Sequence, residues 1–188
     1  MNDRFNYELE QLTPENADSK VFDLGSPSKV LLNAGIADKP LKLYGNKLLA
    51  KMNKHNFKAT DLKDLPNALN DPIAIFKGNR PDSFAILTEI AIGDNNVLAI
   101  LETGKDRDLN FNVITSTYGK LKEGIERWIN DGKLLYENKE KTLDYLGTPA
   151  PIAGAGSQGL KAEASTNKYT KFSEEMAEKS EKDTQNLY

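Results

Sequence analysis

Four strand-like runs between residues 73 and 117 constrain the fold more than any other feature of the sequence. The runs are rich in Ile, Leu, Val, Phe and Thr, residues that favour strands. A four-residue turn at 93–96 joins the second run to the third, and so short a connection makes neighbouring strands antiparallel. The runs cover residues 73–77, 83–92, 96–103 and 109–117. They predict a mostly antiparallel sheet.

Helical patterns stand on both sides of these runs. Before them, Ser26 is a predicted N-cap for a helix over 27–34, and further helices are predicted over 46–56 and after Thr60. After them, a helix is predicted over 120–130, followed by an edge strand at 134–136 and a last helical turn or two at 140–146. The apolar stripe of the 120–130 helix consists of Leu121, Ile125, Trp128 and Ile129. The fold class expected is α+β, with N-terminal helices packed on a mostly antiparallel sheet of four to five strands and a helix between the last strands.

Composition divides the 188 residues into three parts. The hydrophobic fraction is 38% and the charged fraction is 28%, so part of the chain is expected to lie outside the core. Residues 1–20 contain only isolated apolar positions and predict a loose N-terminal arm. Residues 148–188 begin with a Pro-, Ala-, Gly- and Ser-rich stretch and predict a flexible linker and polar tail. The folded domain is thereby placed at 21–147.

Several classes of protein are excluded or disfavoured by the residues that are missing. The chain has no cysteine and a single histidine, which removes disulfides and thiol chemistry and predicts neither a metal site nor a cofactor. No apolar run is long enough for a membrane span, and the N-terminus lacks the pattern of a secretory signal. We therefore expect a cytoplasmic protein without a membrane partner.

The segment 46–56 is strongly basic within a chain of net charge −3. Helical spacing puts Lys47, Lys51 and Lys54 on one face, with His55 at its border. Such a face is either a phosphate-binding patch or a solvated lysine surface.

A second group of polar residues follows the fourth strand-like run. Ser116, Thr117 and Tyr118 supply hydroxyls and Lys120 an ammonium group, and Gly119 is predicted to turn the backbone into the next helix. This strand-to-helix junction is a candidate site. Its alternative interpretation is structural, because hydroxyl groups also finish strands and cap helices.

Six short motifs occur in an order that resembles one known family. They are LGSPS at 24–28, KMNKHNF at 51–57, LPNALNDPIAIFK at 65–77, FAILTEI at 84–90, ITSTYGK at 114–120 and RWINDGKLLY at 127–136. In this order they resemble the C-terminal domain of phage Mu F-like (MuF) proteins, over residues 21–146. The resemblance implies the barnase, EndoU, colicin and RelE-like nuclease group, with helices packed on a four-stranded antiparallel sheet. It also implies a polymorphic-toxin cargo of temperate phages and mobile elements.

Within this resemblance, a metal-independent, ribonuclease-like toxin is implied, acting in the cytoplasm of a bacterial host and delivered with a phage particle. His55 matches the K-H-N segment of the family, and Thr88 and Glu89 match its L-T-E segment. Ser116, Tyr118 and Lys120 match its S-x-Y-G-K segment. RNA is the implied substrate, and an immunity or inhibitor protein is an implied partner.

Cleavage of RNA without a metal ion needs a base, an acid and positive charge on the phosphate. The candidate catalytic residues are His55, Tyr118, Lys120, Ser116 and Glu89. The candidate substrate-binding residues are Lys47, Lys51, Lys54, Thr88 and Thr117. Which group is the base and which is the acid stays open at this point. The alternative function is a non-catalytic binding module that holds a protein or a nucleic acid.

Overall fold

A seven-stranded open sheet forms the centre of the protein in a computed structural model that describes residues 2–103 and 110–147. Its strands are β1 (Val21–Gly25), β2 (Leu41–Tyr44), β3 (Ala74–Lys77), β4 (Ser83–Ile92), β5 (Asn95–Glu102), β6 (Asn112–Lys120) and β7 (Leu134–Glu137). The strand order is β1-β2-β6-β5-β4-β3-β7. Every neighbouring pair is antiparallel except β2 and β6, which are parallel.

Within residues 2–103 and 110–147, six α-helices and one 3₁₀-helix surround the sheet. The α-helices are α1 (Asn2–Glu10), α2 (Lys29–Asn33), α3 (Gly45–His55), α4 (Leu65–Asn70), α5 (Lys122–Asn130) and α6 (Lys139–Leu146), and the 3₁₀-helix spans Ala59–Leu62. The predicted helix after Thr60 is thus split in two, and Pro66 occupies the first turn of the second part. The N-cap of α2 is Ser28 rather than the predicted Ser26, because the Ser28 hydroxyl accepts a hydrogen bond from the Leu31 amide.

The α+β class is confirmed, but the predicted four to five strands are two or three too few. The strands that were missed lie before residue 73, where β1 and β2 extend the sheet beyond β6. The alternation of Leu41 and Leu43 with Lys42 and Tyr44 predicts only a brief strand at β2, and no pattern predicts β1. Their addition depends on pairing with a strand some 70 residues later, which no local pattern reveals.

One face of the sheet, which we call the core face, is covered by the first four helices. It carries Ile86, Val97, Ala99, Leu101 and Ile114, all completely buried in one hydrophobic cluster. Helix α1 contributes Phe5 and Leu9 to the same cluster. The expected loose arm is therefore wrong over residues 2–10, where two apolar side chains one helical turn apart pack onto the core. The predicted tail at 148–188 lies outside the described residues.

The other face, which we call the cleft face, is only partly covered. Residues directly opposite one another in antiparallel strands share a face, so the register puts Ala85, Leu87, Leu98, Ser116 and Tyr118 on it. Helix α5 buries Ile125 and Ile129, and its Trp128 packs edge-on against Phe76 of β3. The predicted fourth member of the α5 stripe, Leu121, is 64% exposed because it precedes the helix as its N-cap.

The strand-to-helix junction predicted at 115–120 is a strand throughout. Strand β6 continues to Lys120, and α5 begins at Lys122. Within β6, only residues 112–114 pair with β2. Helix α3 follows β2 directly and also packs against β6. The basic helix and the hydroxyl-rich strand are therefore neighbours.

Candidate functional site

A cleft of about 620 Å³ opens on the cleft face between α3 and α5. Its floor includes Ala85 of β4, Ile100 of β5, and Ser116 and Tyr118 of β6. The hydroxyl oxygen of Ser116 is buried without a hydrogen-bond partner among the described residues.

The first wall of the cleft is basic. Tyr44 ends β2 in an extended conformation, and α3 starts at the next residue. Lys47 and Lys51 lie one helical turn apart and both line the cleft, while Leu48 between them turns into the core. The helix ends after His55, where Asn56 adopts a left-handed conformation with φ of 51°. Amphipathic spacing therefore presents two ammonium groups to the cleft and holds the helix by its opposite side.

His55 and Tyr118 meet where α3 passes β6. Their rings are stacked, with centroids 5.3 Å apart and an angle of 19° between the planes. The pKa of His55 is lowered by partial desolvation and by the positive charges of Lys54 and Lys51. Burial raises the pKa of the Tyr118 phenol. At neutral pH the imidazole is therefore mainly a proton acceptor and the phenol a proton donor.

The second wall carries an aromatic ring with two cations. Trp128 lines the cleft, and the ammonium groups of Lys120 and Lys133 lie 4.8 and 5.6 Å from the centroid of its ring system. Such distances allow cation–π attraction. Lys120 faces the same side of the sheet as Tyr118, because the two residues are separated by one position along β6.

One ion pair of the cleft was not anticipated from the sequence. Glu102 of β5 and Arg80 of the β3–β4 loop both line the cleft, and Arg80 Nη1 lies 3.0 Å from Glu102 Oε1. The alternation of β5 could have assigned Glu102 to the face of Ile100, but no local signal joins it to Arg80.

The structure brings some of the predicted site residues together and leaves others elsewhere. His55, Tyr118, Ser116, Lys47 and Lys51 lie in or beside the cleft, and Lys120 is joined to it through Trp128. The exposed Lys54 contributes its charge to the surroundings of His55.

The other three predicted site residues do not line the cleft. Glu89 is held by Lys141, whose Nζ is 2.6 Å from Glu89 Oε2 and 2.8 Å from Asp71 Oδ2. Thr88 is completely buried and donates its hydroxyl to the Val97 carbonyl at 3.0 Å. Thr117 is buried opposite Ala99 of the core face.

Two kinds of feature are absent from the part of the chain that the structure describes. Among the residues that the structure describes, no three His, Cys, Asp or Glu side chains gather closely enough to hold a metal ion. Across residues 2–103 and 110–147, no helix combines the length and apolar character that crossing a bilayer requires.

Comparison with protein families gives a match over the part of the chain that forms most of the cleft. The model of the phage MuF C-terminal domain matches residues 47–144, just over half of the chain. The chain belongs to this family. Comparisons with curated proteins and with solved structures gave no match. The matched segment of this MuF C-terminal domain starts inside α3 and contains every candidate residue, from Lys47 to Lys120. Elements α1, β1, α2 and β2 precede it, and they add to the core and to the far edge of the sheet.

Proposed function

We propose that this MuF C-terminal domain is a phage or mobile-element toxin that cleaves RNA in the cleft by metal-independent acid–base chemistry. The observation that carries the proposal is the stacking of His55 on Tyr118 beside the two lysines of α3. It joins a proton acceptor, a proton donor and positive charge at one place. The resemblance to the barnase, EndoU, colicin and RelE-like nuclease group gives further support.

The reaction that suits these groups is an attack of the ribose 2′-oxygen on the neighbouring phosphorus. His55 takes the proton of the 2′-hydroxyl as the new P–O bond forms. Tyr118 gives its proton to the 5′-oxygen as the P–O5′ bond breaks. The products are a 2′,3′-cyclic phosphate and a 5′-hydroxyl. Proton exchange with water then returns His55 to its neutral form and Tyr118 to its phenol form.

The directions of the two pKa shifts agree with these roles. A lowered pKa leaves the His55 imidazole neutral at pH 7, ready to accept a proton. A raised pKa keeps the Tyr118 phenol protonated, ready to donate one. Glu89, the other acid–base candidate of the sequence, is engaged by Lys141 and takes no part in this scheme.

Cations and a hydroxyl supply the remaining interactions. Lys47 and Lys51 stabilise the negative charge that builds up on the phosphate oxygens in the transition state. Lys120 adds charge from the opposite wall. The Ser116 hydroxyl is buried in the cleft floor and unpartnered within the described residues, and it can donate a hydrogen bond to a phosphate oxygen once its side chain rotates towards the cleft.

The proposal is tested with labelled single-stranded RNA in the presence of EDTA. We expect cleavage by the wild-type protein and a loss of about 10²- to 10⁴-fold in rate for His55→Ala and for Tyr118→Phe. Tyr7→Phe is the matched control, because Tyr7 is 66% exposed on α1 and outside the cleft. A 2′-deoxy residue at the cleaved position should abolish the reaction, since the nucleophile is then missing.

Other outcomes would contradict the proposal. Cleavage that survives both His55→Ala and Tyr118→Phe would remove these residues from the chemistry. Salt-sensitive RNA binding without cleavage would instead support a non-catalytic binding module, for which the basic wall of the cleft suffices. Growth inhibition in a bacterial cytoplasm, relieved by a co-expressed inhibitor protein, is the expected biological counterpart of activity.

A further inference from the structure

We propose that Glu102 and Arg80 form a nucleobase-binding subsite in the same cleft, and that guanine is the base it prefers. This inference rests on the proposed function only in taking RNA as the ligand. The pair lies at a different level of the sheet from the His55–Tyr118 stack. Glu102 is four residues along β5 from Leu98, the partner of Tyr118, which corresponds to about 14 Å between Cα atoms. The subsite would therefore contact a nucleotide other than the one whose phosphate is cleaved.

The loop that carries Arg80 is fixed in place around Ser83. The Ser83 hydroxyl accepts a hydrogen bond from the Arg80 amide at 3.1 Å and donates one to the Arg80 carbonyl at 2.8 Å. The Gly78 amide donates to the Ser83 carbonyl at 2.8 Å. A Cβ on Gly78 would lie 2.1 Å from the Ser83 hydroxyl, so only glycine fits there. Because Ser83 is also paired with Glu102 in the sheet, both partners of the ion pair are held by one residue.

Burial differs between the two partners in a way that suits a binding site. The Glu102 side chain is 18% exposed, whereas that of Arg80 is 74% exposed. A mostly buried carboxylate is held in a fixed position, and an exposed guanidinium can close over a bound ligand. Because the Glu102 side chain is already ordered, binding a ligand costs less conformational entropy. Because the Arg80 side chain can move, the ligand can enter the subsite.

The chemistry of the pair selects among the four bases. A carboxylate accepts hydrogen bonds, and guanine offers it two adjacent donors, N1–H and the N2 amino group. On the same edge, adenine and cytosine each offer the carboxylate one donor group, the amino group. Uracil offers one N–H, which lies between two carbonyl oxygens. Guanidinium donors match the O6 and N7 acceptors of guanine. Guanine is thus the base that can satisfy Glu102 and Arg80 together.

Binding of mononucleotides tests the subsite without any need for catalysis. Trp128 is the only tryptophan of the chain and lines the cleft, so its fluorescence reports occupancy. We expect guanosine monophosphate to bind about tenfold or more tightly than the adenosine, cytidine and uridine monophosphates. Glu102→Gln should remove most of this preference. Arg80→Gln should weaken guanosine monophosphate binding and, at an exposed position, keep the fold.

A matched control comes from the ion pair of Arg4 and Glu8 on α1. Their side chains are 76% and 19% exposed, and Arg4 Nε lies 2.8 Å from Glu8 Oε1, close to the values for Arg80 and Glu102. Glu8→Gln should leave nucleotide binding unchanged. Equal binding of all four nucleotides, or guanosine monophosphate binding that resists both Glu102→Gln and Arg80→Gln, would overturn the subsite.

The two proposals fail separately. Guanine-selective binding by a protein that does not cleave RNA would refute the ribonuclease and leave the subsite standing. Cleavage of RNA that depends on His55 but shows no preference for guanine near the cut would support the ribonuclease and refute the guanine subsite.

Discussion

The two faces of the central sheet divide stability and chemistry between them. On the core face, Val97, Leu101 and Ile114 are completely buried beneath the N-terminal helices. On the cleft face, α5 covers only part of the strands, and Ser116 and Tyr118 form the floor of an open cleft. The same strands thus serve as a packed layer on one side and as a platform for polar groups on the other.

Strand β6 contributes alternate residues to the two faces. Ser116 and Tyr118 face the cleft, whereas Thr117 between them faces the core. Because side chains alternate along a strand, the register of β6 decides which hydroxyls are available to a ligand. A shift by one residue would bury Tyr118 and expose Thr117. The buried residues on one face therefore fix the position of the polar residues on the other.

The largest difference between the faces should appear in stability. Ile114→Ala removes a completely buried side chain from the core face, and we expect a loss of about 2–5 kcal/mol in the free energy of unfolding. Ser116→Ala, two residues away, should change it by less than about 1 kcal/mol, because that hydroxyl has no hydrogen-bond partner among the described residues. Urea denaturation measures both. Equal losses would mean that the cleft face is packed as tightly as the core face.

A smaller effect separates two buried threonines. The Thr88 hydroxyl donates to the Val97 carbonyl, whereas the Thr117 hydroxyl is buried without a partner in the described part of the chain. Replacing a hydrogen-bonded hydroxyl by a methyl group costs about 1 kcal/mol, and replacing an unsatisfied one gains a similar amount. Thr88→Val should therefore lower the unfolding free energy and Thr117→Val should raise it. If both variants lose stability, Thr117 is hydrogen-bonded in solution.

Local sequence patterns predicted an element correctly where its residues determine its structure without distant partners. Helix α3 was predicted over 46–56 and spans Gly45–His55, because lysines and leucines repeat at helical spacing. Strand β4 was predicted with both of its ends correct, because its apolar run is bounded by polar turns. The prediction of α3 also placed Lys47, Lys51 and His55 on the correct helix.

Local patterns failed where a residue serves a distant neighbour. Gly119 was interpreted as a turn, yet it lies within β6 opposite Val97. A Cβ there would approach the Asn95 Cβ to 3.0 Å, so glycine is favoured by close packing between strands and not by a turn. The Glu102–Arg80 pair was missed for the same reason, since its partners are 22 residues apart and meet only through the register of β4 and β5.

The smallest expected effect concerns the electrostatics at the rim of the cleft. After desolvation, Lys54 is the largest cause of the lowered pKa of His55, ahead of Lys51. A nearby positive charge disfavours the imidazolium form, so its removal should raise the pKa. Lys54→Gln is therefore expected to move the titration of His55 to higher pH, and the acidic limb of RNA cleavage should follow it.

NMR can follow this titration without ambiguity, because His55 is the only histidine of the chain. Lys47→Gln is the matched control, since Lys47 lies on the same helix but is not among the charges that shift His55. The shift should shrink as salt is added, because His55 and Lys54 are both exposed and solvent ions screen their interaction. An unchanged titration in Lys54→Gln at low ionic strength would contradict a contribution from Lys54 and leave desolvation and Lys51 as the causes of the lowered pKa. The proton affinity of His55 would then be set almost independently of its nearest lysine along the helix.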